Sequence, residues 1–173
     1  TQLPGHTVHH WLREIPFGTG SLGHGFSLAA GMALGLKIQG KPGQVFCITS
    51  DGEWQEGSTW EALIFSAKNV LTNLCILVDC NGLQGFGKIS EVAAMENLGS
   101  KLSGFSVDVL QANGHSTEEL TQKILSPSTR AKVILMNTIK GYPISFMENR
   151  MDWHYLPINK IHYSQAVNEV LKT

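Results

Sequence analysis

Length, composition and charge place the chain among globular proteins. Its 173 residues are enough for one domain with a sizeable core. The formal net charge is −1 and no run of Lys or Arg exceeds two residues, so nucleic acid and anionic membranes are not expected as partners. No apolar run reaches about 18 residues, which excludes a membrane-spanning helix. The three cysteines lack metal-site spacing, and we expect reduced core thiols in a cytoplasmic protein.

Seven segments have the pattern of regular secondary structure. In chain order we predict a helix from Gly25 to Lys37, a strand from Val45 to Thr49, a helix from near Ser58, strands from Leu74 to Val78 and Val107 to Leu110, a helix from Thr117 to Leu125 and a strand from Val133 to Met136. The strands lack polar alternation, which is typical of a sheet covered on both faces. This order predicts an α/β fold, a mostly parallel sheet with helices on both faces. Its ligands should bind at the carboxyl ends of the strands.

Two of the helices carry further signals. Ser58 and Glu61 have the spacing of a capping box, which predicts a helix that begins near Ser58. The helix from Gly25 also contains Gly31 and Gly35, and each interior glycine costs about 1 kcal/mol relative to alanine. We expect these glycines to allow close approach of another backbone, either at a subunit interface or against the chain's own sheet.

The segment "GTGSLGHG" spells G-x-G-x-x-G at Gly18, Gly20 and Gly23. A dinucleotide site would need a strand just before it and an acidic residue roughly 20 positions later. The preceding "LREIPF" carries charge and a proline, and no Asp or Glu occurs from Phe17 to Ser50. We therefore expect no dinucleotide site, only a backbone that lies close to something flat or anionic.

Polar residues follow two of the predicted strands, in "ITSDGEWQEG" and "VDCNGLQ". Neighbouring parallel strands would bring Asp51 and Asn81 to the same edge of the sheet. These two side chains and a carbonyl near Leu83 could bind Mg²⁺ and leave positions for phosphate oxygens and water. The N–H groups of Gly52 and Glu53 could then meet the phosphates. The alternative is a pair of polar turns with no ligand.

Several motifs together resemble the thiamin-diphosphate-binding domain of transketolase. They are "GTGSLGHG", "SDGEWQEGSTWEA", "VDCNGLQ", "NGH" and "TIKGYPISFMEN" followed by "DWH", in matching order over nearly the whole chain. Deoxyxylulose-phosphate synthase and the α subunits of 2-oxoacid dehydrogenases are the nearest rival families. The combination of "WEA", "NGLQ" and "DWH" favours transketolase. The resemblance implies the thiamin-diphosphate-binding fold.

The resemblance also implies a cofactor and a metal ion. Asp51, Asn81 and the carbonyl of Leu83 match the family's ligands of Mg²⁺ or Ca²⁺. Thiamin diphosphate is the implied cofactor, with its rings beside the glycine-rich loop and its diphosphate at the turn after Asp51. The implied cofactor contacts are Gly20, Leu22, Gly52, Glu53, Asn81 and His154.

Three residues match catalytic positions of the family. His6 and His154 match histidines that line the cofactor and the sugar-phosphate channel, where they would orient hydroxyls or assist proton transfer. Taken alone, an isolated histidine favours a structural role. Glu56 matches a glutamate at the dimer interface that links two active sites. Its alternative is support of the helix N-terminus at Ser58.

The sequence departs from the family pattern at a few positions. Ser50 replaces the usual glycine before Asp51, where a turn of positive φ is expected. His24 replaces a frequent glutamine, Tyr142-Pro143 stand where Lys-Gly is common, and "GLQGFG" lacks the usual Asp. None of these changes removes an implied metal ligand. They leave room for an altered substrate or a weaker cofactor site.

The resemblance makes residues 1–173 one N-terminally incomplete diphosphate-binding domain, without the pyrimidine-binding and C-terminal domains. The pyrimidine-binding domain supplies the glutamate that protonates the cofactor's aminopyrimidine ring. We therefore expect one subunit of a split transketolase, inactive without a pyrimidine-domain partner in an α2β2-like assembly. The complete enzyme would transfer a two-carbon ketol unit from a ketose phosphate to an aldose. The alternatives are a non-catalytic binding or regulatory module and a piece of a larger enzyme. The sequence does not identify the donor or the acceptor sugar.

Overall fold

A four-stranded parallel sheet forms the centre of the computed structural model, which describes residues 6–8 and 17–172. Its strands are β1 (Val45–Ser50) and β2 (Leu74–Cys80), then, after a short hairpin of β3 (Leu83–Gln84) and β4 (Gly87–Lys88), β5 (Asp108–Asn113) and β6 (Lys132–Asn137). The spatial order is β1-β2-β6-β5. The helices are α1 (Gly25–Ile38), α2 (Gly57–Lys68), α3 (Ile89–Val92), α4 (Leu98–Leu102), α5 (Thr117–Leu125) and α6 (Lys160–Val170). The predicted α/β fold with a parallel sheet is confirmed.

One face of the sheet is closed by α1 and α2. Cys47 of β1 and Ile76 of β2 point into this core, together with Phe26 of α1 and Leu63 of α2. Trp54, from a 3₁₀ turn at Gly52–Gln55, is fully buried among them. Because this turn directly follows β1, the packing of Trp54 fixes the backbone at the carboxyl end of that strand.

The other face of the sheet is covered unevenly. Helix α5 packs beside β5, where Ala112 and Ile134 are buried. On β1, by contrast, Phe46 and Ile48 are 50% and 73% exposed. The predicted helices do lie on both faces, but the described residues leave the β1 side of this face open.

The first turn of helix α2 corrects one prediction. Helix α2 begins at Gly57, close to the expected Ser58, yet its N-cap is Glu56 and no side chain caps it. The Ser58 hydroxyl instead donates to the carbonyl of Gly23, 2.8 Å away. The capping-box prediction was therefore wrong, because the helix begins before Ser58 and its N-cap position belongs to Glu56.

The glycines of α1 divide between two environments. A Cβ on Gly25 would lie 3.7 Å from Cys47 Sγ, so this glycine faces the sheet. A Cβ on Gly31 or Gly35 would meet nothing within 4 Å. Packing on the chain's own sheet therefore explains Gly25 but neither of the other two.

Two further sequence predictions concern the segment before the glycine-rich loop and membrane-spanning helices. The segment expected to lack a strand, residues 12–17, lies outside the described residues except for Phe17. No helix within residues 6–8 and 17–172 has the length and hydropathy to cross a membrane.

Candidate functional site

Asp51 is a buried carboxylate at the carboxyl end of β1, only 8% exposed. Its Oδ1 accepts from the N–H of Gly52 at 2.9 Å and its Oδ2 from the N–H of Gly82 at 2.7 Å. Burial raises the pKa of Asp51 above its ordinary value, the two N–H groups oppose that shift, and the charge of Asp79 adds to it. Asp51 thus joins the two loops that follow β1 and β2.

Asn81 is held at the end of β2 by local hydrogen bonds. Its Nδ2 donates to Asp79 Oδ2 at 3.0 Å, and its Oδ1 accepts from the N–H of Leu83 at 2.9 Å. Asp79 also accepts from the Thr138 hydroxyl at the end of β6. An amide oxygen has a second lone pair, so Asn81 keeps acceptor capacity for a ligand. The predicted meeting of Asp51 and Asn81 at one edge agrees with the register, which pairs Ser50 with Asp79.

The two N–H groups of the turn after Asp51 already have short-range acceptors. The N–H of Gly52 donates to Asp51 and that of Glu53 to the Ser50 hydroxyl at 3.2 Å. Their contact with phosphate stays a prediction. Ser50 has no positive φ, so the glycine that it replaces is not needed for the turn.

The glycine-rich loop before α1 is fastened to the same turn. The N–H of Gly23 donates to Glu53 Oε1 at 3.0 Å, and its carbonyl accepts from Ser58. With φ +78° and a Cβ position 2.7 Å from the Cβ of Glu56, residue 23 has to be glycine. Gly20, at φ +114°, lies against the flat ring of His6, as a Cβ there would be 3.2 Å from the ring.

Leu22 and Glu56 are exposed beside this loop. Leu22 is 49% exposed, and its carbonyl lies 2.9 Å from Nδ1 of His24. The Glu56 side chain is also exposed and makes no helix-cap hydrogen bond. Glu56 occupies the N-cap position of α2, where its charge can support the helix N-terminus, so that alternative stays open and the interface role stays a prediction.

His154 ends the second 3₁₀ turn, Met151–His154, and stands beside a lysine. Lys140 Nζ lies 3.4 Å from its Nδ1. Partial desolvation of the exposed ring lowers the pKa of His154 below its ordinary value, and the charges of Lys140 and His6 lower it further. The lowered pKa favours the neutral imidazole, which can accept a proton.

Two grooves at this edge of the sheet share Ile48. One, of about 140 Å³, is lined by Gly20, Leu22 and Glu53. The other, of about 390 Å³, is lined by Asn81 and Lys140 among other residues. The open side of β1 therefore forms the floor between the glycine-rich loop and the end of β2.

The roles of several residues beside this site were not predicted. Asp79 and Thr138 orient Asn81, and the charge of Lys140 lowers the pKa of His154. Gln84 packs over Gly52, and its buried Nε2 has no hydrogen-bond partner in the described part of the chain. Position at a strand end could have identified Thr138. The contact of Lys140 with His154, by contrast, depends on how the irregular segment between them folds, which no local pattern predicts.

Metal-binding capacity rests on oxygen ligands. Among the described residues, no group of three or more His, Cys, Asp or Glu side chains could hold a metal ion. The predicted set of Asp51, Asn81 and the Leu83 carbonyl contains one carboxylate, so it does not depend on such a group. A site of this kind would need oxygens from a ligand and water to complete the shell.

Comparison with known proteins gives a consistent family match. The family described as transketolase, thiamine diphosphate binding domain, matches residues 1–166. One of the subunits of an apulose-4-phosphate transketolase from Actinobacillus succinogenes is 36% identical over 90% of this chain and 57% of its own length. A 6-deoxy-6-sulfo-D-fructose transketolase subunit from a Clostridium species is 35% identical over 99% of this chain and 64% of its own. The human transketolase is 33% identical over 88% of this chain and 25% of its own.

Solved transketolases have the same fold. The Campylobacter jejuni enzyme superposes with a TM-score of 0.83 over 88% of this chain and 26% of its own, at 24% identity. The Leishmania mexicana enzyme gives 0.74 over 99% of this chain and 31% of its own, at 18% identity. The chain thus spans less than two thirds of the subunits that it matches and about a quarter of the human enzyme.

Proposed function

The chain belongs to the family of the transketolase thiamine diphosphate binding domain, and from this premise we propose that it is the diphosphate-binding subunit of a two-chain ketol transferase. The complete enzyme would move a two-carbon ketol unit from a ketose phosphate to an aldose. Support comes from two relatives that are themselves named subunits of transketolases. We further propose a cytoplasmic enzyme of carbohydrate metabolism, for which this chain forms one domain over residues 1–173.

The observation that carries the proposal is the buried carboxylate of Asp51. Within the described residues it forms no salt bridge; the ion pairs found there are Lys88–Glu91 and Arg150–Asp152. An ionised carboxylate that is buried without a cation is unfavourable, and the neighbouring charge of Asp79 adds to that penalty. A divalent cation beside Asp51 would remove it. We propose Mg²⁺, or Ca²⁺, held by Asp51, Asn81 and the Leu83 carbonyl.

The surroundings of Asp51 fit a diphosphate cofactor. The oxygen ligands suit a hard cation that also binds phosphate. The buried, unpaired Nε2 of Gln84 beside Gly52 is a donor that still needs an acceptor. The groove at Gly20 and Leu22 offers a narrow apolar space for rings. When bound, thiamine diphosphate supplies the stabilisation of carbanions that carbon–carbon bond cleavage needs.

His6 and His154 would serve the substrate. The neutral imidazole of His154 can accept a proton from a sugar hydroxyl, whereas an imidazolium could only donate. After desolvation, the charge of Lys140 is the next cause that lowers the pKa of His154, and it adds one positive charge for an anionic substrate. His6, whose ring lies on Gly20, would orient hydroxyls from the side of the glycine-rich loop.

A pyrimidine-domain partner would complete the enzyme in an α2β2-like assembly. We propose that it contacts α1, where Gly31 and Gly35 have open space, and the exposed Glu56. Leu28 and Met32 of the same helix are 44% and 48% exposed, which suits a covered surface better than a solvated one. Without this partner, the chain should be inactive.

Calorimetric titration tests the cofactor site without an assay of activity. Thiamine diphosphate with Mg²⁺ is titrated into the chain alone and with a pyrimidine-domain partner, for the native sequence and for Asp51→Asn. Asp108→Asn is the matched control, because Asp108 lies at the opposite, amino end of β5. We expect Mg²⁺-dependent binding that Asp51→Asn abolishes and Asp108→Asn leaves intact.

Thermal unfolding gives a second readout of the same site. A ligand at 100 times its Kd adds about 2.7 kcal/mol to the free energy of unfolding. The native assembly should gain stability from cofactor and Mg²⁺, and the Asp51→Asn assembly should not. Absence of any gain in the native assembly would favour the non-catalytic module instead. The regular backbone at Ser50 already removes one of the grounds for that alternative.

A further inference from the structure

Tyr155 occupies the space that a side chain at position 85 would need. A Cβ on Gly85 would collide with the Tyr155 hydroxyl, lie 3.3 Å from Tyr155 Cζ and lie 3.5 Å from Nε2 of His154. The backbone of Gly85 follows β3, and β3 packs against the turn that contains His154. The absent side chain at Gly85 therefore allows Tyr155 to stand at this point.

This position adjoins the candidate site through two neighbouring side chains. The Tyr155 ring makes an edge contact with the ring of His154, with centroids 4.7 Å apart. His154 in turn neighbours Lys140, which lines the groove with Asn81. A phenol, an imidazole and an ammonium group thus follow one another toward that groove.

The hydroxyl of Tyr155 is available to a ligand. Tyr155 is 66% exposed, and its hydroxyl has no hydrogen-bond partner in residues 6–8 and 17–172. A phenol donates strongly to hydroxyl and phosphate oxygens. Beside the charge of Lys140, it suits a ligand that carries many oxygens and a negative charge.

We propose that Tyr155 is a specificity-determining residue that hydrogen-bonds the sugar phosphate, and that Gly85 is required because it leaves room for it. The inference rests on the proposed function, since it takes a sugar phosphate as the ligand. It adds a substrate contact that neither Asp51 nor the glycine-rich loop provides.

Binding of an aldose phosphate tests the contact without turnover. The assembly with a pyrimidine-domain partner is loaded with thiamine diphosphate and Mg²⁺ and titrated with a panel of aldose phosphates that begins with D-ribose 5-phosphate. Tyr155→Phe removes the hydroxyl alone, and we expect it to weaken the tightest-binding sugar by roughly tenfold. Affinity for thiamine diphosphate should stay within about twofold. Tyr163→Phe is the control, because Tyr163 is 63% exposed on α6.

Gly85→Ala tests the shared space. The colliding atom is the far end of an exposed side chain, so the chain should fold and the Tyr155 ring should be displaced. We expect about the same loss of sugar affinity as for Tyr155→Phe and no additional loss when Tyr155 is already alanine. Gly104→Ala is the matched control, since its nearest contact would be Lys101 O at 3.9 Å.

Four outcomes would overturn the inference. Sugar affinity of Tyr155→Phe within about twofold of the native value would do so, as would additive effects of Gly85→Ala and Tyr155→Ala. A matching loss of association between the two chains would make Tyr155 an interface residue. Bound cofactor with no bound aldose phosphate would defeat the inference but leave the cofactor site standing, whereas no bound cofactor would defeat the proposed function itself.

Discussion

The two faces of the sheet consist of residues from the same strands but differ in how far these residues are buried. On β1, Cys47 is buried against α1 and Trp54, whereas its neighbour Ile48 is 73% exposed between two grooves. On β2, Ile76 lies on the closed face beside Cys47. One face therefore holds the fold together, and the other presents apolar surface at the edge where Asp51 and Asn81 lie.

The difference shows how one strand can serve both stability and binding. Residues of alternate parity point to opposite faces, so the core can be dense while the adjacent face stays open. Substitutions on the two faces should then have separable effects. The following predictions test that separation.

The largest expected effect compares two isoleucines of neighbouring strands. Ile76→Ala should lower the free energy of unfolding by about 2–5 kcal/mol, because it leaves a cavity in a fully buried site. Ile48→Ala should change it by about 0.5 kcal/mol or less, since its side chain is mostly in solvent. Urea unfolding monitored by circular dichroism measures both. Equal losses would mean that the β1 side of the second face is covered after all.

An intermediate effect is expected where α5 does cover the second face. Lys132, only 6% exposed, donates its ammonium protons to the carbonyls of Lys123, Ile124 and Ser126 at the end of α5. Lys132→Met should cost about 1–3 kcal/mol in the free energy of unfolding, because three partly buried carbonyls lose their donor.

Lys101→Met is the control for that substitution. Lys101 is exposed and donates to one carbonyl, that of Glu96. Lys101→Met should change the free energy of unfolding by no more than the uncertainty of the urea measurement. If both lysine variants unfold at the same denaturant concentration, Lys132 does not hold the end of α5.

The smallest expected effect is a change in the pKa of His154. Lys140→Met removes a positive charge beside His154 and keeps most of the aliphatic chain, so the pKa of His154 should rise. Partial desolvation of the ring, the larger cause, remains in this variant. NMR titration of the imidazole Cε1–H measures the midpoint, with Lys160→Met as the distant control. A midpoint that falls or stays unchanged would contradict the contact.

The predictable part of this molecule consists of continuous apolar runs and segments with helical periodicity. The runs at Val45, Leu74 and Val133 and the helix at Thr117 follow from local pattern, and all appear in the structure. Helix α6 was not predicted. Only Ala166 in it is buried, and Ser145 bonds the helix through Glu169 while His162 stacks on Phe146.

The candidate site divides in the same way. Position at strand ends predicted that Asp51 and Asn81 lie at the same edge of the sheet, and the strand register agrees with it. Hydrogen bonds decided the rest: the N–H groups of Gly52 and Glu53 found short-range acceptors, and Ser58 found the carbonyl of Gly23, 35 residues away. A hydroxyl or N–H group can donate to any of several acceptors, and a sequence pattern does not show which of them the fold brings within reach.

The double attachment of Gly23 has a consequence for assembly. Its N–H is tied to Glu53 and its carbonyl to Ser58, so the glycine-rich loop is joined at Gly23 to the start of α2. Glu56, between these two anchors, is where we place the partner chain. We expect a shift of that backbone on docking to reach the loop through Gly23. Cofactor and partner should then each raise the affinity of the other by the same factor, as thermodynamic reciprocity requires.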